Sequence, residues 1–164
     1  MAFEGREGNM TNENQPQLEK VIILGAGPAG LAAALYAARA ETNPLVLTGT
    51  DLGGQASLTN TIENYPGFPD GVGGVELANL MQKQAEHFGA RIEMDTVTEV
   101  NLARSPFEVK AYNQTYLAES LIIATGASPI HLNIPGEQEY TGQGVSYCAT
   151  CDGWFFRGKK IVVV

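Results

Sequence analysis

The chain has two cysteines, Cys148 and Cys151, three positions apart in "SYCATCDGWFF" with Asp152 directly after them. At this spacing two thiols can close a disulfide across one turn. In a CxxC turn one thiol can be held as thiolate, below the free value of about 8.5, while the other attacks to close the disulfide. Asp152 is placed to pass the proton that thiol exchange must move; its alternative reading is a turn residue ahead of Gly153. A zinc site would need four ligands, and beyond the cysteines the chain offers only His87 and His131, at no ligand spacing, so no metal is expected. A static disulfide or a pair of inert buried thiols stays open as the alternative to a redox dithiol. A single close pair is not the multi-bridge framework of a small secreted domain, which points to a reducing cytoplasm where a CxxC disulfide cycles.

A dithiol alone takes no hydride from a nicotinamide; it needs an electron carrier, and a flavin is one. A place for such a carrier is written at "GAGPAG", with Gly25, Gly27 and Gly30 at G-x-G-x-x-G spacing. Gly25 makes the tight turn, Gly27 lets a pyrophosphate approach the backbone, and Gly30 lets a helix pack close to a strand. The helix N-terminus beyond offers free N–H groups to phosphate. Alone the hexapeptide is weak; here it follows an apolar run and opens an Ala-rich segment, the context that supports it. The acid that would bond a ribose is displaced: Thr48 ends the second strand, and Asp51 is the first acid beyond it. NAD is therefore disfavoured, Asp51 is the candidate ribose contact, and glycine loop plus CxxC points to FAD.

The elements that must position these groups follow from the pattern. Val21 to Leu24 reads as a strand buried on both faces, the segment from Gly30 to Ala40 as a helix, and Pro44 to Thr48 as a second buried strand. A Gly-, Pro- and Asn-rich stretch from Gly49 to Gly74 is too long to be idle. An amphipathic helix is expected over Val75 to Phe88, stopped by Gly89. Strands are expected at Arg91 to Met94, Thr96 to Leu102, Phe107 to Ala111, Thr115 to Leu117, Leu121 to Ala127 and Lys160 to Val164. The class is α/β: a Rossmann-like, three-layer dinucleotide-binding domain.

A net charge of -8, with no basic cluster beyond Lys159 and Lys160, argues against a nucleic-acid partner. No apolar run approaches the roughly 18 residues of a membrane span, and the polar N-terminus carries no export signal.

In their order and spacing "GAGPAGLAAALYAARA", "GGQ", "ENYPGF", "LIIATGA" and "CATCDG" resemble low-molecular-weight, bacterial-type thioredoxin reductase, from about Lys20 to Val164. "CATCDG" placed downstream of "ATGA" sets that family apart from other flavin disulfide reductases, whose cysteines lie near the first glycine loop. The resemblance implies an FAD domain, an inserted Rossmann-like NADPH domain carrying the CxxC, and a homodimer in which electrons pass from NADPH to FAD, to the dithiol and to thioredoxin. Residue by residue it implies FAD contacts at Gly25, Gly27, Pro28 and Ala29, at Gly53, Gly54 and Gln55, at Asn64, and at Thr125 and Gly126. Cys148 and Cys151 become the redox pair and Asp152 the acid/base. Adjacency to Asp152 makes Cys151 the sulfur expected to face the flavin. Read without the family, Gln55 and Asn64 would cap turns.

Mapped onto the family, residues 1–18 are expected to be a disordered leader, 19–127 the N-terminal segment of the FAD domain, and 128–164 the opening of the NADPH domain. The family continues past a strand like "KIVVV" with a second glycine loop for NADPH and a return segment to the FAD domain. The expectation is thus an incomplete FAD domain followed by the start of a second one, with most of the NADPH site missing, an apolar strand edge exposed at Lys160 to Val164, and no turnover with NADPH by this chain alone. The alternatives are a non-catalytic FAD- or partner-binding fragment, and a related CxxC flavoenzyme with another donor or acceptor.

Overall fold

The first strand, β1 (Gln17–Leu24), lies inside the sheet, and every later element is placed by what pairs with it. The computed structural model describes residues 16–164. Most of the expected leader, 1–18, lies outside the described residues; Gln17 and Leu18 belong to the strand. On one side β1 pairs in parallel with β2 (Leu45–Leu47), which pairs in parallel with β3 (Arg91–Glu93). β4 (Val97–Asn101), β5 (Phe107–Ala111) and β6 (Thr115–Ile123) form an antiparallel meander, and β6 runs parallel to β1 along its other side. The sheet order is β3-β2-β1-β6-β5-β4.

The register explains why the first two strands read as unbroken apolar runs. Ile22, Ile23 and Leu24 stand opposite Leu45, Val46 and Leu47. Alternation sends Ile23 and Val46 to one face and the other four to the opposite face. On the first face they meet α1 (Pro28–Arg39) through Leu31, Ala34 and Ala38, and α3 (Gly74–His87) through Ala85. Alanine at these positions keeps both helices close to the sheet and to each other. On the second face Ile22, Leu24, Leu45 and Leu47 join Val109, Tyr116 and Ala118 of the meander. Both faces are covered, as a parallel sheet requires; each large aliphatic side chain so buried is worth about 2 kcal/mol.

Polar groups tie the sheet margins. Asp95, buried just after β3, accepts backbone N–H bonds from Thr96 (2.8 Å), Tyr112 (3.1 Å) and Asn113 (3.2 Å), fixing the β5–β6 turn to the end of β3. The Tyr116 hydroxyl donates to Glu93 at 2.9 Å and accepts from Gln114 at 2.7 Å. Burial is the main reason its pKa is pushed up to about 12. Buried Glu19 pairs with Arg91 across the sheet.

Several expectations are corrected. The strands expected at Thr115 to Leu117 and Leu121 to Ala127 are one strand, β6, because β1 gives a continuous partner from Gln17 to Leu24; it ends at Ile123. The stretch from Gly49 to Gly74 contains a helical turn, α2 (Gly54–Ser57). Lys160 to Val164 forms no strand: no described residue pairs with it, and a strand exists only as part of a ladder. Its four apolar residues, Ile161 to Val164, are exposed, so the apolar liability expected there takes the form of an unpaired tail. From 128 onward the chain carries α4 (Glu137–Tyr140), an isolated bridge between Thr141 and Val145, α5 (Ala149–Asp152) and a 3-10 turn (Gly153–Phe156). No helix among the described residues is long and apolar enough to cross a membrane.

Removing the Asp95 carboxylate strands the N–H groups of Thr96 and Asn113 and leaves Tyr112 N–H only its bond to Thr96 O at 3.2 Å. Asp95→Ala is expected to cost about 2–3 kcal/mol, seen as a lower urea midpoint with an unchanged slope. An unchanged midpoint would mean that the β5–β6 turn is held by other contacts.

Candidate functional site

Three loops meet at the carboxyl ends of β1, β2 and β6, where the strand order reverses from β2 to β6 about β1, the position at which open α/β sheets bind ligands. Backbone bonds lock them together. Gly25 N–H donates to Leu47 O at 2.8 Å, Gly53 N–H to Ala26 O at 2.8 Å, and Ala124 N–H to Leu24 O at 2.9 Å. Between the loops lies a cleft of about 690 Å³. Of the residues expected to hold a cofactor, Gly25, Gly27, Pro28, Ala29, Asp51, Gly54, Gln55, Thr125 and Gly126 line it. Gly30 and Gly53 are buried and do not line it, and Asn64 sits apart in the turn of Glu63 to Pro69.

The glycines divide by cause. A Cβ on Gly30 would run into the carbonyl oxygen of Gly25, and one on Gly25 into that of Ala124; Gly25 also has φ +101°. A Cβ on Gly53 would strike the side chain of Ala78, and Gly53 has φ +87°. These three are glycine because the fold demands it. Gly27 is different: its φ of -74° suits any residue, and a Cβ there would meet no protein atom closer than 4.0 Å. What a side chain at Gly27 would fill is the cleft. Gly27 is the N-cap of α1, makes no side-chain cap bond, and is followed by Pro28 at N1, so the first N–H groups of a 12-residue helix are left for an anion. A cleft walled by bare backbone at a helix N-terminus fits the pyrophosphate of a dinucleotide. Asp51, exposed at the rim, is held by the Thr50 hydroxyl at 2.7 Å.

The second constellation lies in the later part of the chain. Cys148 and Cys151 are joined as a disulfide that closes α5, with Cys148 as N-cap and its sulfur accepting from Cys151 N–H at 3.2 Å. Asp152 N–H donates to Cys148 O at 3.0 Å. The approach to this turn is anchored by Glu137, which is only 5% exposed. Its Oε1 accepts from the Tyr147 hydroxyl at 2.7 Å and from Leu132 N–H at 2.9 Å, and its Oε2 from Ile134 N–H at 3.3 Å. Tyr147 spends its one proton on Glu137, so at 2.9 Å His131 Nδ1 must be the donor to the Tyr147 oxygen. The Tyr147 bond, with backbone N–H groups behind it, holds the Glu137 carboxyl down to about 2, and the same bond raises the Tyr147 pKa.

Sequence reasoning missed Glu137, Tyr147 and Ser146. Tyr147 and Ser146 stood in the cysteine motif, but bonds spanning ten and six residues leave no periodic trace. Among the described residues no group of three or more His, Cys, Asp or Glu is arranged to hold a metal.

The comparison with protein families fits this combination of glycine cleft, parallel core and dithiol turn. The family model described as pyridine nucleotide-disulphide oxidoreductase matches residues 19–164, and the chain belongs to that family. The thioredoxin reductase of Coxiella burnetii is 49% identical over 151 residues, 92% of this chain and 47% of that protein. A glucosaminate ammonia-lyase of Pseudomonas fluorescens is 46% identical, over 88% of this chain and 45% of its own. The crystal structure of thioredoxin reductase from Streptococcus pyogenes superposes with a TM-score of 0.79 at 41% identity, covering 87% of this chain and 46% of that one. Within the family the chain is of the low-molecular-weight, bacterial thioredoxin-reductase type. It spans about half the length of the curated relatives it matches.

The Glu137 anchor sets a pH window. A carboxyl lowered from 4.5 to about 2 by folding keeps its contribution above 4.5 and loses it as pH falls toward 2. Protease cleavage between Leu132 and Tyr147 is expected to rise over that interval. In Glu137→Gln it should already be fast at neutral pH and no longer respond to acid; a variant that still responded would overturn the assignment.

Proposed function

We propose that this chain is the FAD-binding and dithiol-bearing part of a cytoplasmic thioredoxin-disulfide reductase, drawing on NADPH and working as a homodimer. Residues 19–127 would form the FAD segment and 128–164 the opening of the NADPH domain. The observation that carries the reading is the disulfide itself. It closes three residues on a turn outside both core clusters, with Cys151 exposed. A bracing disulfide gains by closing a long loop, and one this short gains little. Its use is exchange.

The chain's residues have definite tasks in that reaction. The bare backbone at Gly25 and Gly27, with the N–H groups that open α1, would hold the pyrophosphate of FAD. Gly54, Gln55, Thr125 and Gly126 would border the rest of the cofactor, Asp51 would meet a ribose hydroxyl, and Asn64 would approach from the neighbouring turn. When bound, FAD supplies two-electron redox chemistry between a nicotinamide and a disulfide. Reduction of the Cys148–Cys151 disulfide leaves two thiols that a partner disulfide can reoxidise: one sulfur attacks, a mixed disulfide forms, and the second sulfur resolves it. Asp152 would hold or release the proton at these sulfurs.

The first test is the visible spectrum of the purified chain after incubation with FAD and removal of excess. Near-stoichiometric flavin is expected, and Gly27→Ala should lose it while keeping stability within about 1 kcal/mol, the range of an N-cap change. A colourless wild-type chain would overturn FAD binding by this segment. The acceptor needs a separate test, since a relative at 46% identity bears the name of an ammonia-lyase. The chain, reduced and freed of reductant, should pass two thiols' worth of reducing equivalents to oxidised thioredoxin, and Cys151→Ser should pass none. Failure of the wild type would remove thioredoxin as the partner.

A further inference from the structure

The carboxylate of Asp152 does not bond the backbone that follows it, as a turn residue ahead of Gly153 would. It reaches back six residues, and its Oδ2 accepts the Ser146 hydroxyl at 2.6 Å. The same Ser146 oxygen accepts the N–H of Cys148 at 3.1 Å. A hydroxyl has one proton and two lone pairs, so it can donate to the carboxylate and accept from the cysteine at once. No described cation forms an ion pair with Asp152; Arg157, five residues on, lies over the ring of Trp154. Ser146 is therefore the described side chain that bonds the Asp152 carboxylate, and its second bond ties that position to the backbone of the first cysteine.

We infer that Ser146 is a positioning residue of the dithiol turn: it sets the Asp152 carboxylate against the Cys148–Cys151 pair so that proton transfer keeps pace with thiol exchange. The inference rests on the redox reading of that pair given above. The step is the exchange of the disulfide with a dithiol. The reductant's thiolate attacks one protein sulfur, the S–S bond breaks, and the departing sulfur leaves with the bonding pair and takes up a proton. The reductant's second thiol then gives up its proton, closes its own disulfide and releases the other protein sulfur. The protein disulfide gains two electrons and the reductant loses two, while the two protons of the reductant end on the two cysteines.

The test uses the chain as it stands, with dithiothreitol as the probe. Appearance of protein thiols is timed from mildly acidic to mildly alkaline pH and corrected for the reductant's own thiolate fraction. The wild type is expected to show a residual pH dependence. Ser146→Ala should lose it and react about tenfold slower, as when an acid–base group is displaced. Asp152→Asn should behave the same way, the double variant should lose nothing further, and Ser146→Thr, which keeps the hydroxyl, should restore the profile. A purely structural role would slow Ser146→Ala equally at every pH and leave the profile's shape intact, and that result would overturn the inference. A normal profile in Ser146→Ala beside an altered one in Asp152→Asn would overturn the positioning role alone. An Asp152→Asn variant indistinguishable from wild type would overturn the inference together with the acid/base reading beneath it.

Discussion

The closeness of bare backbone at the carboxyl end of β1 is the constraint on which the rest depends. Gly30 stands against the Gly25 carbonyl and Gly25 against that of Ala124, so one helix and two strands converge with no side chain between them. That contact brings α1 onto the sheet and leaves its first N–H groups facing the cleft. Gly53 and Gly54 then close from the β2 side, where Gly54 comes near enough to Gly27 that a Cβ would lie 3.4 Å from the Gly27 Cα. Packing and ligand approach are thus served by neighbouring glycines for separate reasons. Gly27, which packing does not require, is the one whose absent side chain leaves room in the cleft.

The two halves of the chain are held by different forces. The sheet and its helices bury two apolar clusters, one on each face. The stretch after 128 contributes no member to either cluster; Ile130, Leu132, Ile134, Trp154 and Phe155 are exposed, and order there comes from hydrogen bonds to a few side chains. Glu137 gathers two backbone donors and a phenol, and Ser146 links a carboxylate to a cysteine amide. A turn organised in this way can keep both sulfurs near solvent, which a hydrophobically packed turn could not.

What was legible beforehand was what repeats. Val21 to Leu24 and Leu45 to Leu47 declared themselves by unbroken burial, α1 by alanine, and α3 by its spaced apolar residues and the glycine that stops it. The chemistry was legible because cysteine and clustered glycine are rare and specific choices. Less could be read where two neighbours decide together. The extent of β6 depends on β1, Lys160 to Val164 has the residues of a strand but no ladder to join, and Ser146, Tyr147 and Glu137 act through bonds between positions that share no period. Asn64 was drawn from a family motif, and here it stands outside the main cleft, in a turn of its own.

β6 has one further consequence, for the order in which the molecule comes apart. It pairs with β1 along nearly its whole length and with β5 over its first half, so its amides belong to both the parallel and the antiparallel parts of the sheet. Peeling it away would dissolve both at once, which makes β1, β6 and β5 one cooperative unit whose amide hydrogens exchange only on global opening. The hydrogen bonds described for the dithiol turn are to residues of its own stretch, not to this unit, and its amides would exchange through small local openings. The chain therefore has a slow frame and a fast appendage, and the sulfur chemistry sits on the appendage, where a partner can reshape the turn without cost to the frame.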